Sequence, residues 1–406
     1  MSLSRSIQLS NCKTCILPWI HLHTWPNNDV YPCCLTPQTD VIGNLDKQSL
    51  KEVFNSKGMR SIRKDMIAGV EPPSCTRCFE QERAGLFSMR NDSNERFKHH
   101  NNLIATTQED GTVDEMNLVY WDFRFSNICN FKCRSCGPQL SSGWYKDFKQ
   151  LNNGVLPPNC PDPDRPITLW EQLEPLFDSV EQKYFAGGEP LLMEEHYRIL
   201  NRLIEMGKTD VHIRYNTNFS KMKYKRQDVI ELWKHFSDVK IDCSIDGMNQ
   251  QGEFVRSGMD WQQVLDNRER LREQAPHVWF GINCTTSIQN AYHVVDFWRW
   301  AYTTNFIDTA EHFHVNLVQD PQWLRISALP AHHKQALSEL YTSAQQESLR
   351  VNAPNTARDW ASAVKFMMAT QEDTLEEFRY KMLLVDRLRG EDFAQTFPEL
   401  GDLMCE

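Results

Sequence analysis

A mixed α/β fold is predicted: a partial (β/α)6 TIM-like barrel, with an N-terminal Cys-rich cluster-binding module before it and a helical appendage after it. Three observations on the 406-residue chain predict it. Between about residues 116 and 318, six apolar strand-like runs alternate with helical stretches, the pattern of parallel strands joined by crossover helices. The 13 cysteines gather mostly in short-spaced groups within the first 136 residues. Beyond about residue 319 only helical periodicity remains. The expected domains are therefore 1–100, 116–318 and 319–406.

In the first region, residues 17–23 and 29–32 read as short strands around the turn Pro26-Asn27-Asn28. Residues 48–68 read as one or two helices, and the polar stretch 91–114 as a connection. So small a module has little core of its own and gains from a metal staple. In the second region the strands are expected at 117–125, 182–186, 210–216, 238–245, 277–286 and 312–318. Helices are expected at 139–151, 194–206, 226–236, 261–273 and 291–304. Six units are fewer than the eight of a closed barrel, so the barrel is partial. A Pro-rich loop, 155–166, interrupts the first crossover and is long enough to cover a site. Helices at 331–349, 357–369 and 373–389 complete the chain.

Composition narrows the function. Lys and Arg total 44 against 54 Asp and Glu, a net charge of -10, which disfavours sequence-independent nucleic-acid binding. The basic stretch Lys221, Lys223, Lys225 and Arg226 reads as a solvated helix start. No signal peptide and no apolar run long enough to span a bilayer is present, so no membrane contact and a cytoplasmic location are expected. An odd cysteine count in a reducing compartment argues against a disulfide framework. Cys243 and Cys284 lie inside apolar strands and read as small hydrophobes. The clustered thiols suit a soft metal or an iron–sulfur cluster.

Chemistry in α/β folds gathers at the C-terminal ends of strands. Four polar motifs fall there. Cys129, Cys133 and Cys136 follow the first barrel strand, Gly187-Gly188-Glu189-Pro190 the second and Asn216-Thr217-Asn218 the third, and Ser244-Ile245-Asp246-Gly247 closes the fourth. Three thiolates can hold three irons of a cubane and leave the fourth open to a ligand. Each motif has a plainer reading. The three cysteines could hold structural zinc with a fourth ligand, the glycines could form a turn, Asn216 and Asn218 could shape a strand end, and Arg256 could be a surface residue.

Together, Cys129-x3-Cys133-x2-Cys136 after one strand and Gly187-Gly188-Glu189-Pro190 after the next resemble the radical S-adenosylmethionine superfamily. The resemblance implies an enzyme whose 4Fe–4S cluster has one open iron, bound by Cys129, Cys133 and Cys136. It implies that this iron chelates the methionine amino and carboxylate groups of S-adenosylmethionine. Gly187, Gly188, Glu189 and Pro190 then meet the amino group, Ser244 and Asp246 the ribose, Asn216 and Asn218 the ribose or substrate, and Arg256 the carboxylate. Ser135 stands where many members carry an aromatic residue before the third cysteine. The implied reaction is reductive cleavage to a 5′-deoxyadenosyl radical that abstracts hydrogen from a peptide or protein side chain, or from a sugar or other small metabolite. A reducing partner such as a flavodoxin or ferredoxin is implied too. A non-catalytic metal-binding protein on a decayed barrel is the alternative of another class.

The N-terminal segment resembles the auxiliary-cluster segment of twitch and SPASM radical enzymes, placed ahead of the barrel rather than behind it. By position Cys15, Cys33, Cys75 and Cys78 are the implied ligands of a second 4Fe–4S cluster, with Cys12 and Cys34 as alternatives. Asn28 stands where a glycine usually precedes the second ligand. A four-cysteine zinc site has the same ligand set in sequence. His21 and His23 read as packing or surface residues, and no leader-peptide-binding wing is evident before the module.

Overall fold

The computed structural model describes residues 13–83, 85, 87–162, 169–369 and 372–405. The chain forms two compact units. The first takes 1–126, 161–187 and 205–213, and the second takes 127–160, 188–204 and 214–406.

The first unit carries β1 (His21–Thr24), β2 (Asp29–Tyr31), β3 (Gly43–Asn44), β4 (Tyr120–Phe123) and β5 (Gln182–Phe185). Their order is β3-β2-β1-β4-β5. β1 pairs antiparallel with β2 and parallel with β4, so the N-terminal hairpin joins the parallel ladder instead of standing apart. β4 in turn pairs parallel with β5. Leu17–Ile20 is a helical turn rather than strand, with Pro18 in its first turn, where a missing N–H costs nothing. The helices Leu50–Phe54 and Lys57–Ile67 start at Ser49 and Ser56, whose side chains accept backbone N–H bonds. The stretch expected as a connection contains a helix, Met89–Arg96, and a 3-10 run, Lys98–Thr106. A Ser88–Asn91 capping box starts that helix despite its polar sequence. Trp121 sits in the core edge-on to Phe177, ring centroids 5.0 Å apart.

β6 (His212–Thr217) begins in the first unit and ends in the second. The second unit adds the small hairpin β7 (Lys223–Tyr224) and β8 (Gln227–Asp228), then β9 (Val239–Cys243), β10 (Trp279–Thr286) and β11 (Phe313–Leu317). β10 lies parallel between β9 and β11. The crossover helices Glu194–Glu205, Trp261–Gln274 and Val294–Thr303 fall where expected. Two expected helices are shorter. Tyr145–Leu151 starts late because residues 137–141 stay in the cysteine loop, and Val229–Trp233 starts at its Asp228 cap. The helices Ala331–Arg350, Pro354–Ala369 and Leu375–Arg389 pack on this unit, Trp360 lying against Trp298 and Tyr341. Among the described residues no helix is long and apolar enough to cross a membrane.

Candidate functional site

Within the second unit, the loop after β4 carries Cys129, Cys133 and Cys136, and its own backbone fixes it. Lys132 N–H donates to Ser257 O at 2.9 Å, Arg134 N–H to Val255 O at 2.9 Å and Cys136 N–H to Cys133 O at 3.0 Å. Trp144 Nε1–H donates to Cys133 O at 2.9 Å. Gly143 is needed because a Cβ there would stand 2.5 Å from Phe131 O. Burial pushes the Cys129 and Cys136 thiols up to about 12, and the charge of Cys133 adds to it. Thiols that resist ionisation while held together are stabilised as thiolates by bound metal.

Gly188 turns at φ +53, and a Cβ there would lie 2.4 Å from Ile128 O. That turn seats Glu189, whose N–H donates to Ile128 O at 2.7 Å. The Glu189 carboxyl is buried, and one oxygen accepts from Thr217 Oγ1 at 2.6 Å and Leu191 N–H at 3.0 Å. The other accepts from Asn218 N–H at 2.7 Å. Burial pushes this carboxyl up to about 7, against the pull of those donors. Asn218 Nδ2 lies 3.0 Å from Asn130 Oδ1 and 3.9 Å from Cys129 Sγ, so Glu189 and Asn218 belong to the surroundings of the cysteine loop. Pro190 opens the 3-10 turn after Glu189. Asn216 is half-buried on β6, and Ser244 N–H donates to Thr217 O at 2.7 Å.

Asp246 and Arg256 hold each other. Nε lies 2.8 Å from Oδ2, and Nη2 donates to Oδ1 at 3.0 Å. Thr285 N–H also donates to Oδ1, at 2.7 Å. Oδ1 thus takes both hydrogen bonds, whereas Oδ2 meets Arg256 Nε as an ion pair without a hydrogen bond, and Arg256 turns two fork nitrogens to Asp246 and the third, Nη1, to Cys133 Sγ at 3.8 Å. Thr217 lay within the strand-end motif already singled out, but the sequence offered no sign of Asn130 or Thr285 as supporting residues, because each acts through register and loop packing. Gly187 adopts φ +85 in the first unit.

In the first unit Cys15, Cys33, Cys75 and Cys78 line one cavity with Leu17, Leu35, Met89 and Arg90. Burial raises the Cys15, Cys33 and Cys75 thiols, and the charges of neighbouring thiols add to it. Cys34 is not among the cavity lining, and its Sγ lies 3.7 Å from Met89 Sδ. Cys12 lies outside the described residues. Asn28 adopts φ +65. His21 and His23 are buried and do not line the cavity. His23 Nδ1 meets Asp122 Oδ2 at 2.6 Å. Burial opposes ionisation of Asp122, but His23 and Arg124 outweigh it and hold its carboxyl well below the usual range.

Both thiol sets fit an iron–sulfur group better than a single ion. Among the described residues, no three of these sulfurs lie within 4.8 Å of one another. Thiolates on one tetrahedral zinc, at about 2.3 Å from the metal, stand roughly 3.8 Å apart. A cluster spreads its thiolates over several irons.

Comparison with known proteins agrees. Residues 15–79 match SPASM, an iron–sulfur cluster-binding domain, and residues 123–286 match the Radical SAM superfamily. No curated protein sequence matches the chain. Among solved structures, anSMEcpe with AdoMet and a peptide bound is 18% identical, with a TM-score of 0.37 over 55% of this chain and 59% of that one. SuiB from Streptococcus suis, bound to S-adenosylmethionine, is 16% identical, with a TM-score of 0.40 over 73% of this chain and 62% of that one. The chain therefore spans less than two thirds of either structure's length. The two domain matches together take in more than half of the 406 residues, and the cofactors they entail are a 4Fe–4S cluster, S-adenosylmethionine and auxiliary iron–sulfur. The chain thus carries a radical S-adenosylmethionine domain over residues 123–286, with a SPASM iron–sulfur domain over residues 15–79 ahead of it.

Proposed function

We propose that the protein is an enzyme that cleaves S-adenosylmethionine reductively and directs the resulting radical at a C–H bond, with a peptide or protein side chain as substrate. The observation that carries this reading is the grouping, in one compact unit, of three half-buried thiols with the buried Glu189 and its turn. When bound, the cluster supplies the electron that breaks the sulfonium into methionine and a 5′-deoxyadenosyl radical. Cys129, Cys133 and Cys136 hold it, and the loop hydrogen bonds keep the thiols in place. Glu189 offers its carboxylate to the amino group of S-adenosylmethionine, and Gly188 lets that group approach the main chain. Asn216, Asn218 and Ser244 are proposed for the ribose or substrate. Asp246 is proposed to act on the ribose from its place beside Arg256, and Arg256 on the carboxylate. In the other unit Cys15, Cys33, Cys75 and Cys78 are the proposed ligands of the auxiliary cluster. A flavodoxin or ferredoxin is the proposed electron donor.

Anaerobic reconstitution followed by a 5′-deoxyadenosine assay with dithionite tests this. About eight irons per chain, with 5′-deoxyadenosine formed by wild type and abolished in Cys133→Ala, is the expected result. About four irons with the same activity would remove the auxiliary cluster. A full complement of iron with no 5′-deoxyadenosine, with or without candidate peptides, would favour a non-catalytic metal-binding protein.

A further inference from the structure

The backbone places Arg256 opposite Cys133. Lys132 N–H donates to Ser257 O and Arg134 N–H to Val255 O, both at 2.9 Å. These two bonds bracket the pair Cys133 and Arg256, so their juxtaposition is set by main chain and not by one rotamer. Arg256 also closes the helix Asn249–Val255, its N–H donating to Gly252 O at 2.9 Å. From that position Nη1 reaches to 3.8 Å from Cys133 Sγ. The remaining two nitrogens face Asp246, which is itself buried and fixed. Thr285 N–H holds its side chain, and Asn290 Nδ2 donates to its carbonyl at 2.8 Å. Asn290 is held in turn by Ser287 N–H at 2.8 Å.

We infer that the Arg256–Asp246 pair sets the reduction potential of the cluster held by Cys129, Cys133 and Cys136, the arginine raising it and the aspartate lowering it. The inference rests on the reading of those cysteines as cluster ligands. Reduction adds a negative charge to the cluster and its sulfurs. A permanent cation that donates an N–H toward a ligating sulfur stabilises the reduced form, and a buried carboxylate behind it does the reverse.

The test is EPR-monitored potentiometry of the reconstituted full-length protein without S-adenosylmethionine, so that carboxylate binding plays no part. The auxiliary cluster is read separately in Cys133→Ala. Asp246→Asn is expected to move the potential of the three-cysteine cluster upward and Arg256→Gln to move it downward, with Arg256→Lys between Arg256→Gln and wild type. Potentials that stay put, or move in the same direction in both variants, overturn the inference. If Arg256→Gln assembles no cluster, Arg256→Lys and Asp246→Asn decide the matter by the same opposition of sign. A wild-type protein with no cluster signal lost in Cys133→Ala sinks the ligand reading instead, which is a different outcome.

Discussion

Glu189 is a buried carboxyl, and its chemistry depends on pH. Its folded value of about 7 lies above the ordinary 4.5, so the ligand-free fold favours the protonated form. The associated stability is fully present below about pH 4.5 and is lost as pH rises through about 7, roughly 3 kcal/mol in all. Urea unfolding of ligand-free protein at pH 5 and pH 8 should show a drop of that order that is smaller in Glu189→Gln, and equal drops in both would contradict it. Gly188→Ala should cost about 1–3 kcal/mol, since φ is +53 and its Cβ would meet Ile128 O at 2.4 Å. Gly207→Ala, at φ +69 but with nothing within 4 Å, should cost about 1 kcal/mol. Thermal melts that rank the two the other way would contradict the close-approach account. The cysteines and the glycine turn were legible in the sequence because their spacing is local. The engagement of Asp246 by Arg256, and the pairing of His23 with Asp122, were not, because they depend on loop closure and strand register.

The cysteine loop is tied to the last long helix of its unit. Arg134 is buried over the Phe254 ring at 3.8 Å, and its Nη2 contacts Asp386 at 2.5 Å and Glu391 as well. Arg389 of the same helix contacts Asp147 at 2.9 Å. Arg134→Met keeps the bulk and leaves Asp386 without its cation, so it should destabilise by about 3–5 kcal/mol. A melting temperature within a degree or so of wild type would show the pair to be dispensable. At this scale the sequence revealed the helices and missed their attachments. The helix Leu375–Arg389 was legible from its periodicity and stops at Gly390, which takes φ +68. The helix Met89–Arg96 was not legible, because its stability comes from the Ser88–Asn91 cap and from Asn94 and Arg90 bonds to residues near 14–16 rather than from an apolar stripe.

Over the whole molecule, alternating strands and helices and two cysteine groups pointed to a radical enzyme with an auxiliary-cluster segment ahead of its barrel, and the matched domains are SPASM over residues 15–79 and Radical SAM over residues 123–286. What the sequence did not reveal is that β1 of the N-terminal module pairs in parallel with β4. Four residues of strand carry too little periodicity to declare a partner. That pairing puts His21 and His23 in a buried sheet rather than at a surface. The central claim is that three thiols hold a cluster whose fourth iron is left for S-adenosylmethionine. It is tested most directly by the EPR spectrum of the dithionite-reduced protein with and without S-adenosylmethionine. The account predicts that one cluster signal changes when S-adenosylmethionine is added and that this signal is missing in Cys133→Ala. Cluster signals that S-adenosylmethionine leaves unaltered would contradict it.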